Sequence, residues 1–161
     1  MNSPFGVART MTTQGRAARK INPRFAWYQL RIGRSPIHST GVFAMEDIPR
    51  GRRVMEYTGK RLTLVEASKL SPPQDRYLVR LSLRWALDGS VGGSGAELVN
   101  HCCDPNLAWK RVSGRLFFYS RRRIRAGEEL TLRYAYPVKI TRVPCHCGSP
   151  KCRGILRYWL R

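Results

Sequence analysis

The sequence predicts a mostly β domain that contains little helix. Short runs rich in β-branched and aromatic residues follow one another, and turn-forming residues separate them. Strands do not alternate with long helical segments, which argues against a parallel α/β architecture, and no segment repeats. The predicted strands are Phe25–Ile32, Thr40–Met45, Arg52–Tyr57, Tyr77–Leu83, Leu107–Val112, Leu116–Ser120 and Glu129–Tyr134.

One helix interrupts this series. Thr63 and Glu66 have the spacing of a capping box, and the helix that they begin runs to Leu70, because Pro72-Pro73 ends it. A second, shorter turn is predicted at Gly95–Val99. A chain of 161 residues, 42% of them apolar, can bury the core of one domain.

The charge of the chain narrows the range of partners. The net charge is +20, 24 of the 30 basic residues are arginine, and the first acid is Glu46. This charge favours nucleic acid or an acidic partner, although a solvated surface from an arginine-rich proteome also explains it. Residues 1–24 contain no acid and little apolar pattern, so we expect a disordered basic tail. Neither an 18-residue apolar run nor a signal peptide is present, so we expect an intracellular protein with no membrane partner.

The cysteines favour a metal site. They are odd in number and clustered, which argues against a secreted disulfide framework and for a reducing compartment. A C-x-C-x4-C run supplies three of the four soft ligands that tetrahedral zinc requires. The five are Cys102, Cys103, Cys145, Cys147 and Cys152.

Five short motifs occur in one order along the chain. They are Ile37–Ala44 (IHSTGVFA), Glu56–Gly59 (EYTG), Asn100–Asn106 (NHCCDPN), Glu128–Tyr134 (EELTLRY) and Cys145–Gly154 (CHCGSPKCRG). In this order they closely resemble the SET-domain protein-lysine methyltransferases that carry a post-SET zinc segment. The resemblance covers residues 34–156, about three quarters of the chain. The arginine bias fits a bacterial member of this family.

The resemblance implies a fold of small curved β-sheets. In it, the Asn100-His101 and Tyr134 segments form a knot-like crossing, which is rare among proteins. The SET domain would span residues 25–136, and the zinc segment would span residues 137–161.

The resemblance also implies S-adenosylmethionine as the methyl donor. Small residues suit a loop whose backbone approaches a ligand closely. Tyr77 resembles a tyrosine that flanks the donor, although an ordinary strand aromatic is nearly as good an interpretation. The implied binding residues are Ser39, Thr40, Gly41, Tyr77, Asn100 and His101.

Methyl transfer to lysine requires a neutral amine, whereas the pKa of an aqueous lysine is about 10.4. By resemblance, Tyr134 is the catalytic tyrosine and Tyr57 is a wall of the lysine channel; the alternative for each is a strand tyrosine in the core. Leu132 stands where a Phe or Tyr often controls the number of methyl groups added. Trp109 could supply the missing bulk from the neighbouring strand.

The family's fourth zinc ligand corresponds to Cys103, which leaves Cys102 over. His146 is a competing ligand, but its place between two liganding cysteines is awkward. The ion would be structural.

Two other functions compete with a methyltransferase that acts on a protein substrate. A basic nucleic-acid-binding zinc protein explains the charge and the cysteines, but not Asn100-His101 or Tyr134. A catalytically degenerate SET module is the other. The presence of Tyr57, Asn100, His101 and Tyr134 argues against it, whereas two departures from the family argue for it. One is Leu132, and the other is Glu97, which stands where the family often has arginine.

Overall fold

A computed structural model describes residues 19–71, 74–134 and 143–156. In these ranges, small β-sheets predominate, as predicted, and the helical parts are short. None of the helices in the described part of the chain has the length and apolarity that a bilayer crossing requires. The strands are β1 (Leu30–Arg34), β2 (Thr40–Ala44), β3 (Arg53–Tyr57), β4 (Lys60–Thr63), β5 (Leu78–Arg80), β6 (Trp85–Asp88), β7 (Asn100–His101), β8 (Leu107–Val112), β9 (Arg115–Ser120), β10 (Glu129–Leu132), β11 (Val143–Pro144) and β12 (Ile155–Leu156).

The helical parts include one α-helix and several 3-10 turns. Helix α1 begins at the capping box that the sequence predicts, since the Thr63 side chain accepts from the Glu66 N–H and Glu66 reaches back to the Thr63 N–H. The helical segments are α1 (Leu64–Ser68) and 3-10 turns at Pro23–Phe25, Gln74–Tyr77 and Ala96–Leu98.

The largest sheet positions the candidate site. Its strand order is β1-β2-β10-β7, so β10 lies between two strands that are distant from each other in sequence. Strand β10 pairs antiparallel with β2 and parallel with β7. In the parallel pairing, Asn100 faces Thr131 and His101 faces Leu132. The segment before Tyr134 therefore runs beside Asn100-His101, which is the neighbourhood that the predicted crossing requires.

Two further sheets enclose the core with the first. In the β3-β9-β8 sheet, Met55, Phe118 and Trp109 lie opposite one another in one row across the three strands. The remaining larger sheet has the order β4-β6-β5, and β11 pairs with β12 near the C-terminus. Fully buried side chains that fill the space between the sheets include Val42, Ile48, Val54, Met55, Leu107, Leu116, Ile124 and Leu130.

Two of the predicted strands follow a 3-10 turn and begin later than the sequence suggests. The first does not begin at Phe25, because Asn22 and Pro23 start a 3-10 turn there, and β1 begins at Leu30. The second does not contain Tyr77, which ends a 3-10 turn before β5.

The ends of the chain are described only in part. Residues 1–18 of the predicted tail lie outside the described residues, as does the predicted boundary at residues 136–137. Residues 19–24 lie against the fold, where Ile21 packs on the main core and the Asn22 N–H donates to the Ser94 carbonyl at 2.9 Å.

The side chain of Asn106 forms hydrogen bonds with the backbone of β10. This side chain is buried, its Oδ1 accepts from the Thr131 N–H at 2.8 Å, and its Nδ2 donates to the Glu129 carbonyl at 2.8 Å. Asn106→Ala leaves these backbone groups without those partners. An unsatisfied buried group costs about 1–3 kcal/mol, so we expect urea unfolding to show a loss of about 2–4 kcal/mol. Asn22→Ala removes an exposed cap, and we expect it to cost about 1 kcal/mol or less. Equal losses in the two variants would contradict this role.

Candidate active site and metal centre

The side-chain amide of Asn100 holds the loop at Ser39–Gly41, part of the set that the resemblance assigns to methyl-donor binding. Asn100 is buried, and its Nδ2 donates to the Thr40 carbonyl at 2.9 Å and to Glu129 Oε1 at 2.8 Å. The His38 carbonyl is a further acceptor at 3.3 Å. These bonds hold the loop that contains Ser39, Thr40 and Gly41 against β7.

The loop requires residues with small side chains. Ser39 has a φ of 48°, in the left-handed region that few residues adopt. A Cβ at Gly41 would overlap the Glu129 carboxylate and would lie 3.1 Å from Asn100 Nδ2. Glycine is therefore the residue that allows β2 to pass this close to Asn100.

Two residues of this network escaped the sequence analysis. The Ser35 hydroxyl donates to both Glu129 carboxylate oxygens at 2.8 and 2.9 Å, and it accepts from the Ile37 N–H. An acid at the start of an otherwise buried strand is the signal that could have identified Glu129. The same residue type at Glu128 instead pairs with Arg122 at 2.7 Å.

Glu129→Gln tests this network. The substitution keeps the shape of the side chain but replaces an acceptor oxygen by an amide that can only donate. We expect Asn100 to lose its fixed orientation and the affinity for S-adenosylmethionine to fall about tenfold, the equivalent of one hydrogen bond. Calorimetry measures this affinity, and Glu128→Gln is the matched control. Equal affinity in both variants would show that Glu129 does not position Asn100.

His101 links the candidate catalytic tyrosine to a thiol. The Tyr134 backbone N–H donates to His101 Nδ1 at 3.0 Å, and His101 Nε2 lies 3.6 Å from Cys103 Sγ. Burial, and then the charge of Arg133, lower the pKa of His101. The ring is therefore neutral at neutral pH, with its proton on the Nε2 that faces Cys103. The Tyr134 ring lies edge-on at 5.4 Å, and its hydroxyl donates to the Val99 carbonyl at 2.7 Å.

Tyr57 and Tyr77 meet through one hydrogen bond. The Tyr57 side chain is buried, and its hydroxyl donates to the Tyr77 carbonyl at 2.5 Å. A Cβ at Gly89 would lie 2.6 Å from the Tyr57 hydroxyl oxygen, so this backbone is also close. The Tyr77 ring faces a cation, since Arg19 Cζ lies 4.3 Å from its centroid.

Four thiols converge beside β7. Their sulfur atoms all lie within 4.8 Å of one another, and two of them, at Cys103 and Cys145, are 3.8 Å apart. The thiols belong to Cys103, Cys145, Cys147 and Cys152, the set that the resemblance implies.

The two alternative ligands are outside the group of four converging sulfur atoms, although Cys102 packs against it. His146 is exposed and outside this group of sulfur atoms. Cys102 is buried, and its thiol donates to the Asp104 carbonyl at 3.4 Å.

A comparison with known families decides what this arrangement is. The model of the SET domain family matches residues 39–135, more than half of the chain, and the match includes the loop at Gly41, β7 and Tyr134. The chain belongs to the SET-domain family.

Curated relatives agree with this assignment. Histone-lysine N-methyltransferase set-2 of Caenorhabditis elegans and histone-lysine N-methyltransferase SETD1A of Homo sapiens are each 34% identical over 148 residues. The H3 lysine-4 specific histone-lysine N-methyltransferase of Schizosaccharomyces pombe is 37% identical over 138 residues. The alignments cover 85%, 85% and 80% of this chain, but 10%, 9% and 15% of the relatives. The chain therefore matches a small part of each relative.

The four thiols of this SET protein fit a zinc ion. Tetrahedral zinc with sulfur ligands at about 2.3 Å would place the sulfurs about 3.8 Å apart. Cys103 Sγ and Cys145 Sγ have this separation, and all four sulfur atoms lie within 4.8 Å of one another. Burial raises the pKa of Cys145 above its usual range. Burial acts in the same direction on Cys147. Hydrogen bonds from the N–H groups of Cys103 and Ser149 and from the thiols of Cys152 and Cys145 together outweigh burial and lower the pKa of Cys147 to about 6. A ready thiolate of this kind suits metal binding.

Trp109 and Leu132 lie on different sheets of the SET domain. Trp109 is beside Phe118, whose ring is 6.1 Å from that of Tyr57, and its own ring faces Arg111 Cζ at 4.6 Å. Leu132 is buried in the main core opposite His101. Trp109 is thus separated from Tyr57 by Phe118, and Leu132 pairs with the histidine whose ring contacts Tyr134.

Proposed function

We propose that this SET protein transfers a methyl group from S-adenosylmethionine to lysine side chains of a protein. One observation carries the proposal. The Gly41 loop, Asn100, His101 and the Tyr134 segment come together from three separate parts of the chain. If Tyr134 were only a core residue and Asn100-His101 only a loop cap, these segments would not need to come together.

The proposed cofactor-binding residues contact different parts of the methyl donor. Backbone groups of the Ser39–Gly41 loop and the side chain of Asn100 hold the amino-acid part of the donor, His101 lies at the adenosine part, and Tyr77 flanks it. When bound, S-adenosylmethionine supplies an activated methyl group on a positively charged sulfur.

The chain's own side chains prepare the lysine. Desolvation in a channel beside Tyr57 and a nearby positive charge both lower the pKa of the incoming amine, so that it arrives neutral. The aromatic wall contacts the aliphatic stem of the lysine, and oxygen atoms of the tyrosines accept weak C–H contacts from the methyl group. Alignment of the two reactants then provides most of the rate enhancement.

We further propose that the four thiols hold structural zinc. The thiol cluster packs against Ile37 of the donor loop and against Leu156 of β12. An ion here would fix residues 143–156 beside both the loop and His101, so that metal binding completes the site.

The experiment uses radiolabelled S-adenosylmethionine. The chain is incubated with histone H3, because relatives are named as H3 lysine-4 enzymes, and separately with fractionated cell lysate. We expect label on lysine of a protein, identified by mass spectrometry. Donor binding without label in any protein would favour a degenerate binding module.

Nucleic acid remains a second candidate partner. The outer face of the β3-β9-β8 sheet is rich in cations that contact aromatic rings: Arg53 lies 4.4 Å from the Phe117 ring centroid, and Lys110 lies 5.0 Å from that of Tyr119. Salt-dependent DNA binding without donor binding would favour this function over methyl transfer.

A substitution of Trp109 tests what limits the number of methyl groups added to the lysine. We propose that the bulk of Trp109 narrows the lysine pocket, since it lies beside the Phe118 ring that faces Tyr57. Trp109→Ala is expected to shift products toward higher methylation states, measured by mass spectrometry. An unchanged methylation state would refute this role. Trp85→Ala, which removes a similarly exposed tryptophan from β6, is the control.

A further inference from the structure

The segment Arg19–Asn22 lies on the turn that precedes β7. The Asn22 N–H donates to the Ser94 carbonyl at 2.9 Å, and Ile21 packs against the main core. A Cβ at Gly95 would lie 3.3 Å from Ile21 Cα and 3.3 Å from the Lys20 carbonyl oxygen, which shows how closely the two backbones approach. These contacts fix the segment independently of the Arg19 side chain.

Arg19 extends from this segment to Tyr77. Its guanidinium carbon lies 4.3 Å from the centre of the Tyr77 ring, the geometry of a cation–π contact. The carboxylate of Glu97 is also within its field. Burial raises the pKa of Glu97, and the charge of Arg19 acts against that rise. Arg19 therefore contacts the aromatic face of Tyr77 directly, and its charge acts on the Glu97 carboxylate at longer range, without an ion pair.

The backbone of Tyr77 also contacts the candidate lysine channel. The Tyr77 carbonyl accepts from the Tyr57 hydroxyl at 2.5 Å and from the Gly89 N–H at 3.0 Å. A Cβ at Gly89 would lie 2.6 Å from the Tyr57 oxygen and 2.7 Å from Glu97 Cβ. The Tyr77 carbonyl, Glu97 and the Tyr57 wall of the channel thus surround the same glycine.

We propose that Tyr77 and Glu97 form an arginine-binding corner, and that Arg19 occupies it from within the chain and hinders donor binding at Tyr77. The inference rests on the proposed function, in which Tyr77 flanks S-adenosylmethionine. A guanidinium and a sulfonium carry the same charge and repel each other at short range. Glu97, where the family often has arginine, supplies the negative charge that makes the corner attractive to Arg19.

Arg19→Gln tests the corner with two ligands. S-adenosylhomocysteine has a neutral sulfur, and we expect the variant to bind it about two- to fivefold more tightly, the equivalent of one exposed cation–π contact. The gain for S-adenosylmethionine is expected to be larger, because repulsion of the sulfonium is also removed. Calorimetry at low salt measures both, since salt screens these charges.

Arg24→Gln is the matched control. It removes the same charge five residues away, where Arg24 Cζ lies 5.9 Å from the Phe25 ring on the surface. Glu97→Gln removes the negative charge that favours Arg19 at Tyr77, so it should also increase the affinity for both ligands. The gain in the double variant should be smaller than the sum of the two single gains, because both substitutions act on the same contact.

Two outcomes overturn the inference, and they differ. Unchanged affinity in Arg19→Gln, or the same gain in Arg24→Gln, shows that Arg19 does not hinder the donor, while the proposed function stands. Absence of binding of either ligand to the unchanged chain and to all variants removes the proposed function, and with it the role of Tyr77.

Discussion

Cys103→Ser is expected to release the metal ion and to abolish measurable methyl transfer. Cys103 is the thiol that joins β7 to the C-terminal residues, since its partners in the cluster come from the segment after residue 143. Loss of a group that merely supports a ligand costs about 10–100-fold in metal affinity, so loss of a ligand costs more. We expect elemental analysis to fall from about one zinc per chain to almost none, in line with four ligands around one ion.

Activity should follow the metal for a structural reason. Without the ion, residues 143–156 lose their attachment to Ile37 and to the neighbourhood of His101. Labelled methyl transfer is therefore expected to fall by more than about a hundredfold, and a chelator should have the same effect on the unchanged chain.

Cys102→Ser is the control that distinguishes loss of a metal ligand from loss of a buried thiol. Cys102 is adjacent in sequence and equally buried, but its thiol donates to the Asp104 carbonyl. This variant should keep its zinc and most of its activity. Loss of zinc in Cys102→Ser, or full zinc content in Cys103→Ser, would contradict the proposed ligand set.

The strongest parts of the sequence-based prediction depend on residue identity at fixed spacing. Asn100-His101, Tyr134 and the C-x-C-x4-C run could be identified because few other residues can do their chemistry. The structure brings Asn100-His101 and the Tyr134 segment together through the parallel pairing of β7 and β10, and the cysteine run meets them at Cys103. Pairing between strands so distant in sequence leaves no local pattern, so it followed from the family resemblance alone.

The weaker parts depend on tertiary contacts. Strands β4 and β6 were not predicted, because β4 begins with the exposed Lys60 and Arg61, and β6 begins with the partly exposed Trp85. Their alternation is too short and too polar to distinguish a strand from a loop. Likewise, Ser35 and Glu129 acquire their role only when β10 lies between β2 and β7, which no local pattern shows.

Tyr134→Phe is expected to reduce turnover about 10²–10³-fold, the usual effect of removing one polar group that acts in the transition state. The substitution removes the hydroxyl alone. The Tyr134 N–H that donates to His101 belongs to the backbone and is unchanged, so the donor site should keep its affinity for S-adenosylmethionine. Single-turnover kinetics and calorimetry, carried out on the same protein, measure the two quantities separately.

The hydroxyl also has a structural partner, and this allows a sharper test. It donates to the Val99 carbonyl at 2.7 Å, so Tyr134→Phe should also lower stability by about 1 kcal/mol. Tyr119→Phe is the control, since its hydroxyl accepts from Arg53 Nε at 3.2 Å on the outer face of β9. A similar loss of stability there, without loss of turnover, would assign the catalytic effect to the position of the Tyr134 oxygen. If both variants lost turnover equally, or if Tyr134→Phe lost donor binding, the oxygen would act on structure rather than on the transferring methyl group.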